Sequence, residues 1–303
     1  MMKILCITPI RHLDGLFEYL KTFGDVDYFP DLNLNDFSSI DVSLYDVIFC
    51  NPNKQNYYLD SQILLGFGGK IITASTGLNH IDLDYCQDAG IEVLSHTEDY
   101  QLLNQLPSTA ELAFGLMLSI MRNIPKSINS VMSGEWNYEK YMGNQLCGKT
   151  IGIVGCGRLG TMMYNYCNAF GMNIEVYDPP KGYDDFNLSS CDIVSLHVHS
   201  APDTIKMVDN SFLEKMKSGS YIINTSRGDI VDENSIVSSL NSGHLMGYAT
   251  DVISDEYGNR KNSPIINAMN LGMNVIVTPH IGGMTWEGQL KAYKGAMDKL
   301  CEL

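Results

Sequence analysis

The chain has 303 residues, 45% hydrophobic and 18% charged, which suits two ordinary domains with buried cores and reads as globular rather than disordered. Its formal charge of -15 repels nucleic acid and anionic lipid, so neither is an expected partner, and an acidic substrate would need local cations. No stretch reaches bilayer-spanning length, and the eight cysteines are scattered with no C-x-x-C pair. That usage argues for reduced thiols in a cytoplasmic protein, with no disulfide framework and no metal site.

The opening run MMKILCITPI reads as a first buried strand (residues 3–8) rather than a signal peptide. Arg11, His12 and Asp14 end the apolar run early, and no small-residue cleavage site follows. A short helix is expected over 16–23, strands over 45–50, 70–75 and 90–94, and helices over 61–66 and 81–89. Gly90 should cap the last of these. Ser108 then reads as the cap of a longer helix reaching about Met121, with Glu111 completing a capping box. A second α/β unit starts near Lys149, with strands expected over 150–154, 173–177, 193–197, 221–224, 246–249 and 275–278 and a final helix from Trp286. Strands alternating with helices in both halves predict an α/β protein of two doubly wound, parallel-sheet domains of flavodoxin/Rossmann type.

In the second unit, TIGIVGCGRLG contains Gly155-x-Gly157-x-x-Gly160 between an apolar strand and a helix. Gly155 permits a tight turn, Gly157 lets a pyrophosphate approach the backbone, and Gly160 lets helix pack closely on strand. The N-terminus of the helix expected over 159–169, reached through Arg158 and Leu159, offers free N–H groups and a partial positive charge to phosphates. Asp178 follows Gly160 by 18 residues, at the end of the next strand. An acid there accepts hydrogen bonds from ribose hydroxyls and repels a 2′-phosphate, which favours NAD as cofactor. Lys181 is a nearby cation that could offset part of that repulsion.

Three further segments place polar groups just after apolar strands, where the carboxyl ends of a parallel sheet line the ligand crevice. They are YIINTSRGDIVDE, YATDVISDEYG and VIVTPHIGG, and they deliver Arg227, Asp251 with Glu256, and His280. Asn224-Thr225-Ser226-Arg227-Gly228, Asp251-Val252 with Glu256, and Thr278-Pro279-His280-Ile281-Gly282-Gly283 together resemble the D-isomer-specific 2-hydroxyacid dehydrogenases. The resemblance extends to STGLNHID (75–82) and covers nearly the whole chain.

Histidine titrates near neutrality, so His280 is the expected general acid/base. Glu256 would orient it and stabilise its cation, and Arg227 would grip the substrate carboxylate with a planar, permanently charged fork. The resemblance implies that Gly77 and Leu78 bind the same carboxylate through backbone N–H groups, with Asn79 able to add a side-chain contact. It also implies that Asp251 faces the nicotinamide amide and that Thr225 and His197 belong to the cofactor site. His199 and Ala201 stand where the family has proline and threonine, so the adenine pocket should differ in shape. Arg11 and Lys54 are candidate cations for a phosphorylated substrate, although asparagines occupy places where phosphoglycerate dehydrogenases tend to carry arginines. His12, His80, His96 and His244 read as structural.

The resemblance further implies a homodimer through the cofactor domain, and an interdomain cleft that closes on a small-molecule substrate. The boundaries expected are 97–284 for the NAD-binding domain and 1–96 plus 285–303 for the substrate-binding domain. Two other readings use the same residues: an NAD(H)-sensing, corepressor-like protein, and an enzyme oxidising a non-carbon acid such as phosphite.

Overall fold

The computed structural model describes residues 1–32, 34–37, 39–52, 57–256 and 258–302. It divides into two compact units: Met1–Leu106 with Met284–Leu303, and Pro107–Gly283.

The first unit runs β1 (Met2–Cys6), α1 (Leu16–Lys21), β2 (Gly24–Tyr28), α2 (Leu34–Phe37), β3 (Val47–Cys50), β4 (Lys70–Thr73), α3 (Leu83–Ala89), β5 (Glu92–Leu94) and α4 (Tyr100–Leu103). Its sheet is parallel, in the order β2-β1-β3-β4-β5. Alternation along the strands divides the core between two faces. Leu5, Ile48, Cys50 and Ile71 join Leu64, Ile81, Cys86 and Ile91, while Ile4, Cys6, Val47, Phe49 and Ile72 join Leu16, Leu20, Tyr293, Ala296 and Met297. The last three belong to the C-terminal helix, Trp286–Asp298, which thus returns to this unit's core.

The second unit runs α5 (Ser108–Met121), α6 (Ile124–Met132), β6 (Thr150–Val154), α7 (Arg158–Ala169), β7 (Asn173–Tyr177), β8 (Ile193–Leu196), α8 (Asn210–Lys215), β9 (Ser220–Asn224), α9 (Glu233–Asn241), β10 (Leu245–Thr250), α10 (Pro264–Asn270) and β11 (Val275–Val277). The strand order is β11-β10-β9-β8-β6-β7, again parallel. Strand order therefore reverses at β6, which pairs with β7 on one side and β8 on the other. Every residue of β9 is buried, as expected of a central parallel strand covered on both faces. Ile222 faces a cluster with Leu213, Ile236 and Ile265, and Ile223 faces one with Leu116, Ile120 and Met163. Burying such a side chain contributes roughly 1.5–3 kcal/mol.

Several expectations need correction. Residues 61–66 form turns, not a helix. Asp60 Oδ1 accepts from the backbone N–H of Gln62 and Ile63 (3.0 and 2.9 Å), a single turn closes from Leu64 N–H to the Asp60 carbonyl, and Gly66 at φ 81° ends it. Ser108 is the first residue of α5 and not its cap. Pro107, whose ring presets a helix-compatible φ, takes that place, and its carbonyl accepts from the N–H of Ala110 and Glu111. Asp82 caps α3 by accepting from Tyr85 N–H, and Gly90 ends it in the left-handed conformation. The expected elements omit the edge strand β2, whose GDVDY is short and largely half-exposed, and the helix α6, although Ile124, Ile128, Val131 and Met132 recur at helical spacing along it.

Candidate active site

The glycine loop leaves β6 where the strand order reverses, the position at which open parallel sheets bind ligands. Gly155 sits at φ 86°, in the left-handed region that a side chain disfavours. A Cβ on Gly160 would collide with the Gly155 carbonyl, so helix α7 can start this close only with glycine there. Gly157 is the N-cap of α7 and provides no side-chain cap; Arg158, Leu159 and Gly160 form its first turn. Asp178 lies one residue beyond β7, and its Oδ2 accepts from Cys156 N–H at 2.8 Å. Lys181 reaches back to the same place, with its Nζ 3.8 Å from Asp178 Oδ2 and donating to the Cys156 carbonyl.

After β8, His197 Nε2 lies 2.9 Å from Ser195 Oγ, and burial lowers its pKa to about 4, so the imidazole is neutral. Its Nδ1 is buried without a partner, as is the hydroxyl of Thr225 after β9. Orphaned buried polar atoms and an uncapped helix start, both at the carboxyl ends of these strands, fit a dinucleotide with hydrogen-bonding groups to spare.

Asn224 shapes the turn that presents Arg227. Its Oδ1 accepts from Ser226 N–H (3.0 Å), its Nδ2 donates to the Arg227 carbonyl (3.0 Å), and Ser226 Oγ donates to the Leu196 carbonyl (2.7 Å). Arg227 itself donates from Nη1 to the Ser226 carbonyl at 2.7 Å. The signal for Asn224 was its place in the motif; its role as a turn clasp emerges only with the fold.

Beyond β11, His280 adopts φ 54°, a left-handed conformation costly for a non-glycine residue. Asp251 holds it there. Its carbonyl accepts His280 N–H (2.9 Å), and its buried carboxylate accepts Thr278 Oγ1 (2.5 Å), Ile281 N–H (2.8 Å) and Gly282 N–H (2.7 Å). Burial raises the Asp251 pKa, and those donors oppose the rise. Glu256 Oε2 lies 2.7 Å from His280 Nδ1. This hydrogen bond raises the His280 pKa; partial burial opposes it, Glu256 and Asp251 add electrostatic support, and the Arg227 charge lowers it. The structure thus brings Arg227, Asp251, Glu256 and His280 to one end of one sheet.

Gly77, Leu78 and Asn79 lie in the first unit, on the loop after β4. Gly77 N–H donates to Ser75 Oγ (3.1 Å), Leu78 packs against the core, and Asn79 is exposed. Asn51, after β3, accepts from Thr73 Oγ1 and Ala74 N–H and donates to Tyr293, so its amide braces that loop. Arg11 stacks over Phe17 and Tyr28, 4.2 and 4.5 Å from the ring centroids. Lys54 lies outside the described residues. His80 lies 3.3 Å from Thr73 Oγ1; His96 and His244 bond the carbonyls of Ala292 and Leu213; His12 bonds Gln289.

Residues 114–282 match the family model described as "D-isomer specific 2-hydroxyacid dehydrogenase, NAD binding domain". The chain belongs to this family, and NAD is the cofactor of the matched domain. It is 34% identical over 304 residues to a D-3-phosphoglycerate dehydrogenase of Archaeoglobus fulgidus, covering 95% of this chain and 55% of that protein. It is 32% identical over 239 residues to a hydroxypyruvate reductase of Thermotoga maritima, covering 76% of each. The crystal structure of an NAD-dependent formate dehydrogenase from Staphylococcus aureus in complex with NAD superposes with a TM-score of 0.80 at 28% identity, over 99% of this chain and 94% of that one. The chain spans about half the length of the curated phosphoglycerate dehydrogenases it matches.

Replacing Glu256 with Gln removes the carboxylate that raises the His280 pKa. If protonated His280 gives the proton in reduction of a keto acid, that rate falls as pH rises through its pKa. In the variant the fall should therefore come at lower pH, and hydroxy-acid oxidation should begin at lower pH. Initial rates against pH in both directions check this; an unmoved profile would show that the pair does not set it.

Proposed function

We propose that the chain is an NAD-dependent dehydrogenase that interconverts a small 2-hydroxy acid and its 2-keto acid. The observation that carries this reading is the 2.7 Å bond from Glu256 to His280 Nδ1, at the sheet end that also presents Arg227. NAD supplies the hydride chemistry when bound. His280, with Nδ1 committed to Glu256, keeps Nε2 for the substrate oxygen, giving its proton in reduction and taking one in oxidation. Glu256 fixes the ring and favours its cation. Arg227 binds the substrate carboxylate and polarises the carbonyl, a preorganised charge acting where negative charge develops.

Gly155, Gly157, Arg158, Leu159 and Gly160 hold the pyrophosphate, and Asp178 the adenine ribose, with Lys181 tempering its charge. His197, Thr225 and Asp251 complete the cofactor site. The first unit binds substrate through the N–H groups of Gly77 and Leu78, with Asn79 beside them. The names of the relatives, which include phosphoglycerate dehydrogenase and hydroxypyruvate reductase, support a short hydroxy acid as substrate.

The decisive assays follow NADH oxidation against glyoxylate, pyruvate, hydroxypyruvate and phosphohydroxypyruvate, and NAD+ reduction with phosphite, with His280→Ala in parallel. Turnover with one keto acid is expected, and its rate should fall about 10²–10⁴-fold in the variant while NADH still binds. Near-normal turnover without His280 would sink the proton-transfer role. Binding of NADH with no turnover on any acid would favour the nucleotide-sensing reading.

The protein is also proposed to be a homodimer. Ile124, Ile128, Val131 and Met132 recur at helical spacing along α6 and are all exposed, followed by Trp136 at 86% exposure. Light scattering should give twice the 33.7 kDa chain mass, and a Val131→Glu, Met132→Lys double variant should give the single mass. A wild-type monomer at micromolar concentration would exclude the dimer.

A further inference from the structure

The segment that carries Glu256 lies between β10 and α10, with a single 3-10 turn at Arg260–Asn262 among its described residues, and its carboxylate meets His280 at hydrogen-bond distance. Arg260 Nε donates to the Glu256 carbonyl at 2.5 Å, and both flanks of the segment bond a second glutamate that the proposed chemistry does not use. Glu233, in the first turn of α9, is 7% exposed. Its Oε1 accepts from Ser254 N–H at 2.8 Å and its Oε2 from Ser263 Oγ at 2.9 Å. Ser254 and Ser263 bracket Glu256, so one buried carboxylate clasps both ends of its segment.

The near end has a further constraint. A Cβ on Gly228 would collide with the Ile253 carbonyl and the Ser254 nitrogen, so the segment leaves the sheet directly against the turn that presents Arg227. At the far end Ser263 also caps α10, accepting from Ile266 N–H. A buried carboxylate is costly to desolvate, and one whose two oxygens both hold backbone-anchoring donors is well suited to defining geometry.

We propose that Glu233 is a positioning residue for Glu256, tying Ser254 to Ser263 so that the Glu256 carboxylate stays on His280 Nδ1. This rests on the reading above that Glu256 orients a catalytic His280. Glu233 touches neither substrate nor cofactor and acts only through this segment. Its negative charge is not itself required: in Glu233→Gln the amide oxygen can take Ser254 N–H, and the amide nitrogen can donate to Ser263 Oγ.

The test follows the His280 imidazole by NMR in the cofactor-free protein labelled at histidine Cε1, across pH, in wild type, E233A, E233Q and E256Q, with kcat, KM and NADH affinity measured alongside. The His280 pKa in E233A should fall in the same direction as in E256Q. Its kcat should fall about tenfold to a hundredfold, as expected for a misplacement of about an ångström, with NADH affinity within about twofold. E233Q should titrate and turn over like wild type. An E233A protein that titrates and turns over like wild type would overturn the proposal, and so would one that loses only thermal stability. If E233A does not fold, S263A against S263T makes the same comparison with a single clasp removed. A His280 pKa lowered in S263A alone supports the proposal, and an unmoved one overturns it. Failure of the underlying reading would look different: E256Q itself would turn over normally, whatever the titration of E233A.

Discussion

The carboxylate and carbonyl of Asp251 gather the donors on which the turns beyond β9 and β11 depend. Thr278, His280, Ile281 and Gly282 all donate to this one residue, which also donates its own N–H to the Asn224 carbonyl. Asp251 therefore joins the turn after β9, which presents Arg227, to the turn after β11, which presents His280. A left-handed histidine is a conformational cost, and hydrogen bonds to a buried, charged acceptor are strong enough to offset it. Burial pushes the Asp251 pKa up, and the donors that brace the turn oppose that rise.

The sheet supplies the second constraint. Because β6 pairs with β7 on one side and β8 on the other, the loops after β6 and β8 diverge and leave room at their carboxyl ends. The glycine turn, the α7 start, Asp178 and His197 all sit at that divergence. The Arg227, Glu256 and His280 loops follow the next strands of the same sheet. The groups proposed for cofactor binding and for acid–base chemistry thus share one sheet, with strands β8 and β9 buried along their whole length.

The parts legible in the sequence were those whose chemistry is local. Gly155-x-Gly157-x-x-Gly160 needs only a strand before it and a helix after it, and the second unit's strands are apolar runs with clear ends. Long-range polar contacts left no local trace. Nothing in the spacing announces that Glu233 bonds Ser254 and Ser263, 21 and 30 residues away, or that Asn51 braces the loop after β4. The misread segments also have physical causes. Asp60 caps residues 61–66 into a turn that Gly66 stops, and Pro107 displaces Ser108 from the capping position. Strand β2, GDVDY, is a half-exposed edge and carries little of the apolar signal that identifies its neighbours.

The most direct measurement is the fate of the transferred hydrogen. NADH deuterated at nicotinamide C4, prepared as each of the two stereoisomers, would be incubated with the preferred 2-keto acid and the product analysed by mass spectrometry and chiral chromatography. One stereoisomer should deliver a single deuterium to C2 of a D-2-hydroxy acid, and His280→Ala should deliver it orders of magnitude more slowly. NADH consumption that leaves C2 unlabelled, or label transfer undiminished without His280, would contradict the account.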